Sequence, residues 1–364
     1  MQALDEQWRT AALPTTDQEI WRYSRIGELD LAAFHPEPYV PDVVDSAGVV
    51  HLGGDVVDAV GEQPDVFADI NRALATQVHV VVAEHQVVVE PILVTHVLPA
   101  GGALTCPRLV IEAGVDSQVT VIERFVSQAD GSALVLPVLQ VRAAAAARVN
   151  YLAVNELSDQ AWSIGHQQSI GDRDSSTLLA TVALGGDYAR VRTESRLVGP
   201  GASSRQVALY FAGGQQMHDF RTIQDHAAPQ TTSDLLFKGA VQDHSKSVYT
   251  GLIRIRENAK GTTAFQTNRN LTLSEGAWAE SVPNLDIQTN DVKCSHASTV
   301  GPIDEEQRFY LESRGIRPEI AERLVVLGFF NEVLEQLPAG ALTDDIRRQV
   351  SAKLHIGDAS EALS

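Results

Sequence analysis

From about Val78 the chain becomes a succession of short β-branched runs: "VHVVVAEHQVVVE", "PILVTHVL", "PRLVIEAG", "SQVTVIERF", "LVLPVLQVRA" and "RVNYLAV", punctuated by Gly, Pro, Asp or Ser. The texture continues through "STLLATVALGG", "YARVRTESRLVGPGASS", "RQVALYFAGG", "SVYTGLIRIREN" and "TTAFQTNRNLTLS" with no helical period between the runs. So long a series prompts a search for repeats. Gln224-Asp225-His226 returns at Gln242-Asp243-His244, an offset of 18 residues. An offset near about twenty residues fits one coil of a parallel β-helix, in which each turn buries its inner face by stacking on its neighbours. A large antiparallel sandwich or barrel is the alternative the pattern leaves open. The alternating Gln266, Asn268 and Asn270 in "AFQTNRNLTL" predict a structural amide ladder between stacked strands.

The flanks differ. Residues 1–75 mix a segment suited to a helix from Thr16 with the Pro/Gly-punctuated "PEPYVPDVVDSAGVVHLGG", a loop-rich connection. Residues 76–301 carry the strand texture. Residues 302–364 are helical: "DEEQRFYLESRG" opens with acidic residues, and Ile320, Leu324, Leu327, Phe330 and Leu334 recur at helical spacing before Pro338. A last helix is expected in "TDDIRRQVSAKLHIG", with Thr343 as N-cap and Gly357 as stop.

Composition narrows the function. With 44% hydrophobic residues in 364 the chain buries a sizeable core, and a formal charge of −19 repels nucleic acid and anionic membrane surfaces. Two widely separated cysteines, Cys106 and Cys294, form no disulfide framework and no self-sufficient zinc site, which fits a reducing cytosol. The opening "MQALDEQWRTAALP" is acidic and lacks an apolar signal core, so neither secretion nor membrane spanning is expected. GxxxxGK[ST], GxGxxG after a strand, GxSxG and HExxH are all absent, so no ATP is expected to bind this chain.

Three groups of side chains merit weighing. His218, Asp219, Asp225, His226, Asp243 and His244 hold the elements of a His/carboxylate metal site, yet without ligand spacing they read better as turn chemistry. Arg190, Arg192, Arg196 and Arg205 make a basic patch that reads as a solvated face paired with nearby acids. Cys294 and His296, two apart in "NDVKCSHASTVG", project from one face of an extended strand and can share an ion or cluster. A protonated imidazole there lowers the thiol pKa. Two donors do not complete a zinc or iron–sulfur site, so the remaining ligands are expected from a second chain.

The run from His218 to Gly315 resembles the core of the SufB/SufD family of iron–sulfur cluster assembly scaffolds. The phrases that carry the resemblance are "HDFRTIQDHAAPQTTSDLLFKGAVQDHSKSVYTGLIRI", "AFQTNRNLTLSEGAWAESVPNLDIQTNDVKCSHASTVG" and "DEEQRFYLESRGI". The earlier "PTTDQEIWRYSRIGELDL" is similar to the family's opening, and "DVKCSHASTVG" is similar to the SufD branch, with no SufB-type Cys-Glu-His-Glu phrase. The resemblance implies a right-handed parallel β-helix with helical regions at both ends. It further implies a non-enzymatic scaffold that pairs with SufB and docks the SufC ATPase through its C-terminal helices, and it leaves open a homodimer of the isolated chain. A transient iron–sulfur cluster shared with SufB is the implied cargo, with His296 facing a SufB cysteine and Cys294 as its companion; no residue pattern assigns a flavin. Ala297 stands where the family commonly has Gly, which bears on whether that position requires φ > 0.

Overall fold

In the computed structural model, which describes residues 7–61, 64–338, 340 and 342–354, the β-branched runs stack as a parallel β-solenoid. Successive runs alternate between two facing sheets. Among the described residues one sheet orders strands such as Ala161–Gly171, Tyr188–Leu197, Met217–His226, Lys246–Ile255 and Trp278–Ile287. The other orders Arg148–Glu156, Ser176–Ala183, Ser203–Ala212, Thr232–Val241, Thr262–Thr272 and Val292–Gly301. Tyr188 pairs with Met217 and Met217 with Lys246, each a step of 29 residues, so one coil contains two strands and their turns.

The 18-residue echo is therefore not a coil. Gln224, Asp225 and His226 close a strand and pair with Ile253, Arg254 and Ile255 of the next coil, whereas Asp243 and His244 lie in the turn that leads into Lys246–Ile255. The true repeat is a backbone one. A left-handed residue recurs at His85, Asp116, Ala146, Asp174, Gly201, Gln230 and Gly261, and each donates its N–H to a carbonyl of the following coil, from His85 to Val115 through Gly261 to Asp291. Asp and Gly suit such a turn, but Ala146 and Gln230 occupy it too, because the bonded coil below over-determines the conformation.

Alternation directs one side of each strand into the space between the sheets. In the early coils this lumen is apolar, with Val78, Val80, Leu109, Ile111, Val119 and Val121 fully buried. At about 1.5–3 kcal/mol for each such side chain, it is the main source of stability. Further along, Tyr210, Phe220, Phe237 and Tyr249 fill it, joined by Gln266, Asn268 and Asn270; in place of the anticipated ladder between strands, Asn268 and Asn270 close a ring with Tyr210, and Gln266 Nε2 stays outside it. Asn270 Nδ2 donates to Asn268 Oδ1 (2.8 Å), Asn268 Nδ2 to Tyr210 Oη (2.9 Å), and Tyr210 Oη to Asn270 Oδ1 (2.6 Å). Gly239 exists for this packing, since a Cβ there would lie 1.8 Å from the Tyr210 ring.

The outer faces are covered by the flanks. Helix α1 (Val66–Leu74), N-capped by Asp65, lies on the first sheet with Trp8, Trp21 and Ile26. In place of a helix at Thr16 there are short 3₁₀ turns, including Glu19–Trp21. Here the arginine patch departs from a solvated face. Arg190 is buried beneath the Trp21 ring (3.9 Å) and paired with buried Asp219, which also accepts from Arg221 Nε (2.8 Å) and Tyr188 Oη (3.0 Å). The second sheet is covered by α3 (Pro318–Leu334) and α4 (Leu342–Lys353), reached through α2 (Glu305–Ser313). Within α3, Ala321, Val326, Phe330, Val333 and Leu334 face the sheet while Ile320 and Leu324 are exposed, so the buried stripe is rotated from the one the spacing suggested. Thr343 lies inside α4 rather than capping it, and Gly357 falls outside the described residues. Lys353 anchors α4 by donating to the Leu184 carbonyl and to Gln216 Oε1 (2.8 Å); burial pushes its pKa down to about 8.

Candidate functional site at the open end of the solenoid

The last coil consists of Trp278–Ile287 in one sheet and Val292–Gly301 in the other. Each is the terminal strand of its sheet among the described residues, hydrogen-bonded on one side only. The two edges are not equivalent. Trp278–Ile287 contains Pro283, which has no N–H to offer, together with Glu280 and Asp286; such residues blunt a sheet edge. Val292–Gly301 has no proline and no carboxylate, and its backbone is free to pair with another strand.

Cys294 and His296 sit on that second edge. In register, Cys294 lies beside Ala264 and His296 beside Gln266, and Ala264 and Gln266 are buried in the lumen, so both candidate ligands face the lumen side of the open end. The shared face expected from their spacing is present. Their environments differ. Cys294 packs against Ile253, Ile255 and Ala264, and this burial raises its thiol pKa, opposite to the lowering expected from a protonated neighbour. His296 is exposed. The strand is extended through Ala297, which has no left-handed backbone, so alanine is accommodated without strain. Among the described residues no group of three or more His, Cys, Asp or Glu is placed to hold a metal ion, so no third donor of those types joins Cys294 and His296.

The family model for the SUF system FeS cluster assembly SufBD core domain matches residues 96–329. An iron–sulfur cluster assembly SufBD family protein of Mycobacterium tuberculosis is 34% identical over 319 residues, 85% of this chain and 77% of the relative. The iron–sulfur cluster assembly protein SufD of Escherichia coli is 28% identical over 389 residues, covering 97% of this chain and 92% of the relative. SufD of Bacillus subtilis is 29% identical over 250 residues, 68% of this chain and 57% of the relative. The chain belongs to the SufBD family. Within it, the chain is most like SufD.

The other sequence candidates of this SufBD-family chain are dispersed by the fold. His218 and His226 point into the lumen, while Asp219 and Asp225 point outward from the same strand, as alternation requires. His226 is enclosed by Thr231 Oγ1 (2.7 Å) and Ser233 Oγ (2.8 Å), and burial holds its pKa down to about 4. His218 is held to about 3 by burial, with Lys353 adding to the effect. Asp225 is clamped by Arg256, and Asp243 Oδ2 accepts from Gly214 N (2.7 Å) in its turn. None of these is gathered for metal binding, which agrees with the structural reading. Cys106 is fully buried with a raised pKa and is inert.

Two features escaped the sequence reading. Pro283 marks one edge as blunted, and "SVPNLDI" carried that signal in a proline within a strand-like run. Helix α2 has no buried side chain, and Phe309 (72% exposed) and Tyr310 (57% exposed) project from it. Adjacent aromatics within "QRFYLES" were legible, but their exposure follows only from where α2 leaves the solenoid.

Proposed function

We propose that this chain is a SufD-like, non-catalytic scaffold subunit that pairs through the open end of its solenoid with a SufB-type chain and contributes His296, with Cys294, to a nascent iron–sulfur cluster formed between them. The observation that carries this reading is the placement of both donors on the proline-free edge strand Val292–Gly301, paired on its inner side only among the described residues. A neutral imidazole nitrogen binds iron, and thiolates from the other chain supply softer ligands. Burial raises the Cys294 thiol pKa, so the reading rests first on the exposed His296 and takes Cys294 as its companion. The cluster is cargo, built and passed on. ATP is handled by a SufC-type ATPase docked on the C-terminal helices, a role supported by the unburied α2 with exposed Phe309 and Tyr310. No helix among the described residues is long and apolar enough to cross a membrane, which is compatible with a cytosolic complex.

A second reading makes the chain an interaction element that carries the ATPase and steadies its partner without touching iron; exposed α2 favours it. Anaerobic co-expression with SufB and SufC, followed by mass, iron and sulfide analysis, separates the two. The cluster reading expects His296→Ala to abolish the shared cluster while the complex still assembles. Undiminished iron and sulfide in that variant, with loss of both SufC binding and cluster on deleting residues 304–364, gives the second reading instead. A chain that copurifies with neither partner overturns both.

A further inference from the structure

The first end of the solenoid places two imidazoles side by side. His51 is the middle residue of Val50–Leu52 and His79 lies on Thr76–Val82; the two are register partners in an antiparallel pair, so their side chains leave the same face of the first sheet. Backbone bonds from Gly53 N to Gln77 O (3.0 Å) and from Val81 N to Val49 O (3.0 Å) hold the pair on either side. Alternation turns Val78 and Val80 into the lumen, so His79 faces outward, as exposed His51 does. The two ring centroids are 6.4 Å apart. His79 Nε2 lies 2.8 Å from Glu112 Oε2, on the neighbouring parallel strand Pro107–Ala113. A carboxylate only accepts, so this contact keeps the proton of the neutral ring on Nε2 and the lone pair on Nδ1.

We propose that His51 and His79 form a binding site for a late first-row divalent cation such as Zn²⁺, with Glu112 as the positioning residue of His79. Imidazole suits these ions, and a ligating histidine typically donates its second nitrogen's proton to a carboxylate, the arrangement His79 already shows. The distance fits. An ion bonded at about 2.1 Å to one nitrogen of each ring stands about 3.2 Å from each centroid, so 6.4 Å is close to the widest gap one ion spans, and rotation of exposed His51 closes it to a bent geometry. With Glu112 engaged on the imidazole N–H the direct donors number two, consistent with the lack of any three-donor group among the described residues. The complex is open and exchangeable, with water in the remaining positions, unlike a closed structural zinc site. It ties the reversed strand Val50–Leu52 to Thr76–Val82, and it is independent of the cluster reading at the other end.

The test uses the full chain without a histidine tag, carrying Cys294→Ser and His296→Ala so that the open end contributes no ligand, and titrates it with Zn²⁺ after treatment with a chelator. Calorimetry is expected to show one Zn²⁺ per chain. Spectra of ¹⁵N-labelled histidine should show one nitrogen shifting in each of two rings, identified by their loss in His51→Ala and His79→Ala. His51→Ala alone should abolish the site, and because this ring is exposed the variant tests the pair without disturbing the fold. Glu112→Met, which removes the acceptor, should weaken binding by about 10–100-fold, while Glu112→Gln, whose amide oxygen still accepts the proton, should retain most of it. Equal losses in the Met and Gln variants overturn the positioning role of Glu112. Zn²⁺ bound with undiminished affinity in His51→Ala, or shifts confined to other histidines, overturns the site. So does a starting chain that takes up no Zn²⁺.

Discussion

The two ends of the solenoid are built on opposite principles. At the first end, Asp42–Val44 runs antiparallel on Ile92–Leu98 and Val50–Leu52 antiparallel on Thr76–Val82, so both sheets finish on short reversed strands. The lumen behind them is aliphatic. At the last end, among the described residues, both terminal strands lack an outer partner, and the lumen behind the second sheet's edge joins the amides Gln266, Asn268 and Asn270 to a small apolar pocket of Ile253, Ile255 and Ala264. Reversed strands interrupt the parallel register that a further coil would need, while an aliphatic lumen favours closure. An end that leaves the outer edge of the ten residues from Val292 to Gly301 without a partner among the described residues forgoes that protection and is open to pairing. The comparison teaches that the body and the first end are built for stability, and that the last end is the one left open to pairing among the described residues.

The most severe break in this comparison should come from the body. Asp219→Ala leaves the buried guanidinium of Arg190 and the Arg221 Nε without their carboxylate, and a loss of about 3–5 kcal/mol is expected from urea midpoints. Next, Gly239→Ala drives a Cβ into the Tyr210 ring and should cost about 1–3 kcal/mol, whereas Gly301→Ala, with nothing within 4 Å, should stay within about 0.5 kcal/mol. Equal effects at the two glycines would erase the distinction between body and open end.

Acid sharpens it further. His218 and His226 are held neutral in the folded chain, at about 3 and about 4, against an unfolded value of 6.5. As pH falls below 6.5 the unfolded chain takes up these protons first, so stability is complete above 6.5 and declines towards pH 4, by up to about 1.4 kcal/mol per pH unit for each histidine. Urea midpoints at pH 7.5, 6 and 5 should follow this decline, and His226→Asn should flatten it. The smallest effect belongs to the open end itself. His296→Ala should move the midpoint by no more than about 0.5 kcal/mol, since the ring is exposed. A stability loss on the scale of the body variants would assign His296 a structural role.

Much of the fold was legible. Short β-branched runs without intervening helices, the amide alternation of Gln266, Asn268 and Asn270, and the helical spacing after Gly301 all follow from local periodicity, and each appears in the structure. The coil length was not legible, because it is set by where left-handed turns recur, and residues as different as Ala146 and Gln230 occupy them. The fate of the charged groups was hidden for a related reason. Arg190 and Arg192 alternate onto one face, but only the arrival of Trp21 from far along the chain buries Arg190 against Asp219. At the candidate site, spacing alone put Cys294 and His296 on one face. It gave no hint that burial would raise the thiol pKa or that Gln266 would be the register partner of His296.

By itself, then, the sequence determined the strand texture, the shared face of Cys294 and His296, and the shortage of ligands that points to a second chain, because these depend on residue type and on separations of a few residues. Only the tertiary structure decided which strands end the sheets among the described residues, which edge carries Pro283, and which residues lie in register with Cys294 and His296. Those outcomes depend on the register between strands about 30 residues apart, a quantity fixed by turn geometry and stacking and carried by no single stretch of the chain.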